Sequence, residues 1–248
     1  YNYSEHRQYL LSKGHIFKSN SDTEVIIHLY EEEGIDCLKK INGMFALAIY
    51  DKKKNKLFLA VDRLGVKPLH YYLDNKKIIF SSEIKGIVEN RDIKRELNTN
   101  SLAEYFSFGY ILPPNSIFKS INKVKPAYCL EININNGEAK EKKYWDLSFK
   151  IEKKLSFGEW QEKFDAAFRE SVKKRLISDV PLGVFLSGGV DSSSVVAYMS
   201  EVSDKKIKTF SISFREKDFD ESEYSRKIAK QYNTEHYEEV INPDAIEI

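Results

Sequence analysis

Seven residues in the second half of the chain, Ser187-Gly188-Gly189-Val190-Asp191-Ser192-Ser193, gather groups that hold phosphate. Two glycines let the backbone turn with its amides exposed, and successive amides make a concave anion nest. Ser187, Ser192 and Ser193 offer hydroxyl donors, and Asp191 is a carboxylate suited to Mg2+. The stretch follows an apolar run ending at Leu186 and leads into SVVAYMSEV, which reads as a helix. A helix start adds roughly half a positive charge to the same spot. The Gly-Lys-Ser/Thr ending of a Walker A loop is missing and the loop holds no lysine, so a polyphosphate bound here needs metal to balance its charge. The plain alternative is a tight Gly-Gly turn with Asp191 and Ser192 capping the helix. The order Ser-Gly-Gly-x-Asp-Ser between a strand and a helix favours phosphate over that turn.

The elements that must position this loop read as an alternating series. GVFL is a strand, KIKTFSISF a second and HYEEVI a third, with helices between them over SVVAYMSEV and over 220–232, the latter opened by a capping box of Asp220 and Glu223. Strand–helix–strand–helix–strand implies a parallel sheet with helical crossovers, whose ligands sit beyond the carboxyl ends of the strands. Before it, a long helix runs from Ser156 to about Ser178. Ser156 and Glu159 form its capping box, and Trp160, Phe164, Phe168, Val172 and Leu176 stand four apart as a core stripe.

Residues 1–147 read differently. Helices are expected over 4–13, over the segment NSDTEVIIHLYEEEG with a capping box at Ser21 and Glu24 and a stop at Gly34, and over 36–40. Hairpins follow: MFALAIYD with LFLAVDR about KKKNK, LHYYLD with KIIFSS about DNK, and YCLEINI with AKEKKYW about Asn135-Asn136-Gly137. Short helices fall at SEIKGIVEN and 99–107. The charged connector near Trp145 marks a boundary between domains 1–147 and 148–248.

The bulk numbers exclude some functions. With 248 residues and a formal charge of +1, nothing draws the chain broadly to nucleic acid or a membrane surface, and Lys52-Lys53-Lys54 is a solvated turn. No apolar run approaches the roughly 20 residues of a membrane span. Cys37 and Cys129 lack metal or disulfide spacing, the default for a reduced, cytoplasmic setting. The five histidines show no ligand spacing. Starting at Tyr1 and ending at NPDAIEI, the sequence reads as a segment of a longer protein.

SGGVDSS resembles the pyrophosphate motif of the N-type ATP pyrophosphatases, which split ATP to AMP and pyrophosphate while adenylating a substrate. Its lead-in DVPLGVFL, the later TFSISF and the first-half stretches KGHIFKSNSDTEVIIHLYEEEG, INGMFALAIYD, LFLAVDRLGVKPLHYY and FSSEIKGI together resemble the glutamine-hydrolysing asparagine synthetases. The resemblance implies an α+β class II glutaminase, an Ntn-type αββα sandwich lacking its extreme N-terminus. It implies next the start of an α/β parallel-sheet ATP-pyrophosphatase domain lacking its C-terminal half. It assigns Ser187, Gly188, Gly189, Asp191, Ser192 and Ser193 to pyrophosphate and Mg2+, and Phe185 and Ile212 to the adenosine pocket, though both also suit a strand core. Asp22 is assigned to the glutamine α-amino group, where the plain alternative is a carboxylate at a helix start.

The family's nucleophile is an amino-terminal cysteine whose own α-amine serves as base. It is expected upstream of Tyr1, together with an oxyanion Asn-Gly and an arginine for the substrate carboxylate, so no catalytic residue is assigned within the segment. Neither Cys37 nor Cys129 replaces it, and Asp62-Arg63 reads as a buried pair or turn. The implied reaction is glutamine-dependent asparagine synthesis, with ATP and Mg2+ as cofactors and aspartate and glutamine as substrates. A related amidotransferase acting on a sugar, peptide or antibiotic precursor, an ammonia-dependent synthetase and a non-catalytic ATP-binding paralogue stay open. So does oligomeric state, a homodimer included.

Overall fold

The computed structural model describes residues 1–151, 154–178, 180–214 and 221–241. They divide into two compact units, Tyr1–Lys150 and Ile151–Ile248.

In the first unit, helices α1 (Tyr3–Ser12) and α2 (Asp22–Glu33) and a 3-10 turn (Gly34–Lys39) lead to a hairpin of β1 (Ala46–Asp51) and β2 (Lys56–Val61). Strands β3 (His70–Leu73) and β4 (Ile78–Ser81), helices α3 (Ile84–Val88) and α4 (Thr99–Phe108), and strands β5 (Ile121–Lys123), β6 (Tyr128–Asn133) and β7 (Ala139–Lys143) complete it. Two antiparallel sheets result, in the orders β1-β2-β6-β7 and β4-β3-β5. Strand parity explains how they stack, because successive side chains leave opposite faces. Leu57, Leu59 and Val61 of β2 and Leu130 and Ile132 of β6 pack with Tyr71 and Leu73 of β3 between the sheets. Phe58, Ala60 and Cys129 point the other way and pack with Leu10, Val25 and Leu29 of α1 and α2. Tyr72 and Ile79 cover Ile87 of α3. The unit is therefore a helix–sheet–sheet–helix sandwich, the expected αββα arrangement.

Local signals behave unevenly. Gly34, at φ +61°, ends α2 as expected, but the Ser21–Glu24 capping box does not form. Ser21 Oγ accepts from Thr23 N, while Glu24 turns back to accept from the Lys18 and Ser19 amides at 2.7 Å each. Those two amide bonds, with a third from the Ser19 hydroxyl, hold the Glu24 carboxyl down at about 2. Strand β5 carries no sequence signal of its own and exists because three residues pair with β3.

The second unit holds α5 (Phe157–Arg175), β8 (Gly183–Phe185), α6 (Val190–Val202), β9 (Lys208–Phe214), α7 (Ser222–Gln231) and β10 (Glu235–Ile241). Its sheet is parallel throughout, in the order β10-β9-β8. The Ser156–Glu159 box caps α5 in both directions. Along the α5 stripe, Val172 is buried with Phe168 and Leu176 against it, whereas Trp160 and Phe164 are exposed and are not core. Helix α6 packs Met199 with Val172 of α5 and Val196 with Ala229 of α7. Asp220 of the expected box at 220–223 lies outside the described residues; α7 itself begins at Ser222, and its N-cap Glu221 makes no side-chain capping bond. Among the described residues no helix is long and apolar enough to cross a membrane.

Candidate nucleotide site and glutamine site

The motif lies where β8 ends and α6 begins. The helix starts at Val190, four residues earlier than a loop over all seven residues requires, so Asp191, Ser192 and Ser193 stand in its first turn. The N-cap is Gly189, which has no side chain to satisfy the first amides. The plain alternative, a helix capped by Asp191 or Ser192, is thus not what forms. Ser192 Oγ lies 3.0 Å from Ser187 Oγ and donates to Gly189 O at 3.2 Å, so two hydroxyls gather over the helix start. Ser193 Oγ is buried without a partner among the described residues, a state that costs stability unless something else uses the group. Asp191 is exposed and has no partner among the described residues.

Gly188 is fixed by two separate demands. Its φ is +88°, and a Cβ there would stand 2.5 Å from Tyr224 Cβ and 2.7 Å from Ser225 N, both on α7. The motif therefore rests directly against the next helix.

Beside this loop the sheet has one covered and one open face. Thr209, Ser211 and Ser213 of β9 point to the covered side, where Ser211 Oγ donates to Leu186 O and Thr209 Oγ1 lies 2.9 Å from His236 Nδ1. The apolar partners of that alternation face outward. Phe185 and Ile212 are 79% and 52% exposed, so neither is strand core. They share a cleft of about 690 Å³ with Phe210, Tyr237, Glu238 and Glu239. Phe185, Phe210 and Tyr237 are in register across the three strands, and the Phe210 and Tyr237 rings stack at 5.2 Å and 13°. Gly183 leaves room for this row, since a Cβ would come within 2.2 Å of Phe210 Cε2. Such a row offers flat apolar faces of the kind on which a nucleobase stacks. Phe210 and Tyr237 escaped the sequence reading, although the parity of TFSISF and HYEEVI places them beside Phe185 and Ile212.

In the first unit Asp22 is exposed in the first turn of α2, with Thr23 Oγ1 donating to it at 3.4 Å. Cys37 and Cys129 are buried, and burial foremost pushes each thiol up to about 12, so neither supplies a thiolate nucleophile. Asp62 is 1% exposed and accepts from the Phe45, Leu64, Val66 and Lys67 amides, which organises the turn after β2. Arg63 is not its partner. Its guanidinium donates to Lys39 O at 3.0 Å and lies over the Trp145 ring.

One cluster contradicts the reading that the histidines do not gather. His15 and His28 meet with Glu31, their ligating atoms all within 4.8 Å of one another. Half of the signal lay on α2, where Glu24, His28, Glu31 and Glu32 fall on one face at helical spacing, while His15 joins them from the loop before it.

A family model described as glutamine amidotransferase domain matches residues 1–145, and one described as asparagine synthase matches residues 163–248. A protein of Methanocaldococcus jannaschii with the provisional name asparagine synthetase (glutamine-hydrolyzing) 2 is 41% identical over 226 residues, 89% of this chain and 43% of that protein. Asparagine synthetase (glutamine-hydrolyzing) 3 of Bacillus subtilis is 36% identical over 258 residues, 98% of this chain and 41% of that protein. The protein named amidase chry2 of Gibberella zeae is 33% identical over 189 residues, 75% of this chain and 27% of that protein. The chain spans about four-tenths of the length of the first two. It belongs to the family of glutamine amidotransferase domains, and an asparagine synthase region follows in the same chain, the pairing its asparagine synthetase relatives' names describe.

Proposed function

We propose that this chain serves glutamine-dependent synthesis of asparagine. Glutamine is hydrolysed by the glutaminase domain to which residues 1–147 belong, and the ammonia is used by the synthetase domain to which residues 148–248 belong. There an oxygen of the aspartate β-carboxylate forms a bond to the α-phosphorus of ATP as the bond to the β-phosphate oxygen breaks. Pyrophosphate leaves and β-aspartyl-AMP remains. Ammonia then attacks the activated carbonyl, AMP departs with the transferred oxygen, and a proton passes to solvent.

The observation that carries the reading is the uncapped start of α6, with the Ser187 and Ser192 hydroxyls over it and an unpartnered Ser193 hydroxyl beneath. Donors fixed in advance at the point where charge grows lower the barrier to its departure. Gly188 and Gly189 bring the backbone close, and the exposed Phe185 and Ile212 line the adenosine side with Phe210 and Tyr237. A lone carboxylate fits Mg2+, which takes one or two protein carboxylates and fills its shell with phosphate oxygens and water. Asp191 would hold that ion, whose charge would offset the polyphosphate. In the first domain Asp22 holds the glutamine α-amino group.

A second reading keeps the ATP chemistry and changes the acceptor, favoured by the likeness to a protein named as an amidase. Pyrophosphate release from ATP separates the two when measured with and without aspartate, supplying glutamine or ammonium. Release that requires aspartate and yields asparagine supports the first reading; release indifferent to aspartate moves the acceptor elsewhere. The setting is taken as cytoplasmic, from two buried, unpaired cysteines.

A further inference from the structure

Where the loop after α1 returns to α2, two imidazoles and three carboxylates converge. His15 Nδ1 lies 3.0 Å from His28 Nδ1, and His28 Nδ1 lies 2.8 Å from Glu31 Oε2. The third side of the triangle, His15 Nδ1 to Glu31 Oε2, is 3.6 Å. Both imidazoles are well covered, with side chains 14% and 16% exposed, while Glu31 opens to solvent. The Phe17 ring packs edge-on against His28 at 4.7 Å and shields one flank.

Glu32 Oε1 stands 3.0 Å from His15 Nε2 and accepts its hydrogen, which leaves His15 Nδ1 on the side of His28 and Glu31. His15 Nδ1, His28 Nδ1 and Glu31 Oε2 therefore face one another, three atoms of the kind that ligate a metal ion.

We infer that His15, His28 and Glu31 form a binding site for a divalent transition-metal ion of the Zn2+ class. The triangle has the size the ion demands: a point about 2.1 Å from all three atoms, the usual Zn–N and Zn–O distance, lies about 1 Å above their plane. Two imidazole nitrogens and one carboxylate oxygen suit Zn2+ rather than Mg2+, which prefers an all-oxygen shell. A solvent molecule reaching past exposed Glu31 completes four ligands. The outer shell is in place as well. Glu32 fixes His15, and the hydrogen displaced from His28 Nδ1 is carried on Nε2, which faces Glu24 Oε1 at 3.8 Å. The ion would tie the loop at His15 to the second half of α2, a structural clip distinct from the groups assigned to glutamine and ATP.

The test uses chelator-treated protein with Zn2+ followed by calorimetry, and Co2+ followed by its visible absorption. One ion per chain should bind, with a nitrogen-ligated Co2+ spectrum and a rise in thermal midpoint. His15→Ala and His28→Ala should abolish the spectrum. Glu31→Gln and Glu32→Gln keep both imidazoles and decide the matter if the histidine variants fail to fold, each weakening Zn2+ by about 10- to 100-fold. Asp191→Asn should leave Zn2+ affinity unchanged. Absence of saturable binding overturns the inference, as does binding as tight as the parent's in Glu31→Gln and Glu32→Gln.

Discussion

Replacing Gly188 by alanine separates a grip from a turn. At φ +88° a residue with a Cβ carries backbone strain of about 1–3 kcal/mol. The added carbon would also meet Tyr224 Cβ at 2.5 Å and the Ser225 backbone nitrogen at 2.7 Å, and overpacking of that kind costs about 1–3 kcal/mol. A rotamer change cannot relieve contact with a backbone atom, so the terms act together to give about 2–6 kcal/mol. That is a large share of the roughly 5–15 kcal/mol that stabilises a domain. Gly189→Ala is the matched comparison. Its φ is −68°, its Cβ would meet Ser187 Oγ at 3.4 Å, and its cost is about 1 kcal/mol from a poorer N-cap. Urea denaturation followed by Trp160 fluorescence reads stability of the second unit, and equilibrium ATP binding reads the loop. Gly188→Ala should fall well below Gly189→Ala in urea midpoint and lose ATP binding. Equal midpoints, with ATP bound as in the parent, would refute the claim that the motif is seated against α7.

Ser193→Ala should leave stability unchanged or raise it by up to about 1 kcal/mol, because a buried hydroxyl without a partner is removed, while weakening pyrophosphate binding; calorimetry with Mg-pyrophosphate checks both at once with a melt. Asp22→Asn should raise KM for glutamine by about 10- to 100-fold at unchanged kcat with ammonium, the worth of one hydrogen bond to a charged group. Glu24 sits at about 2 in the folded protein against an ordinary 4.5, so its contribution is complete above pH 4.5 and is lost as pH falls toward 2. The stability gap between the parent and Glu24→Gln should therefore shrink between pH 5 and pH 2, and a gap that widens on acidification would contradict the bonding described. Cys37 and Cys129 should resist iodoacetamide at pH 8 in the native protein and react once unfolded, as read by mass spectrometry.

Much of this fold was legible where local chemistry and tertiary packing agree. The β1–β2 hairpin follows from a charged turn between two apolar runs, and Gly34 stops α2 because only its φ allows the exit. The two Ser-x-x-Glu signatures show where legibility ends. At Ser156 the glutamate closes the box; at Ser21 a loop returns to offer Glu24 two amides, and tertiary partners win over the local one. The β9 alternation misleads in the same way. Apolar residues ordinarily face the covered side, yet here Thr209 and Ser211 do, because Leu186 O, Thr234 and His236 satisfy their hydroxyls. That reversal exposes Phe185 and Ile212 on the open cleft, which spacing alone could not foresee. His15 and His28 are thirteen residues apart and meet only because the loop after α1 folds back on α2.

The most direct test follows one oxygen. Aspartate labelled with 18O in its β-carboxylate is turned over with ATP and glutamine, and the products are analysed by mass spectrometry. Attack of the carboxylate on the α-phosphorus predicts one 18O in AMP and none in pyrophosphate. Label in inorganic phosphate with ADP as coproduct, or no label in any phosphate product while asparagine forms, would contradict the adenylation account.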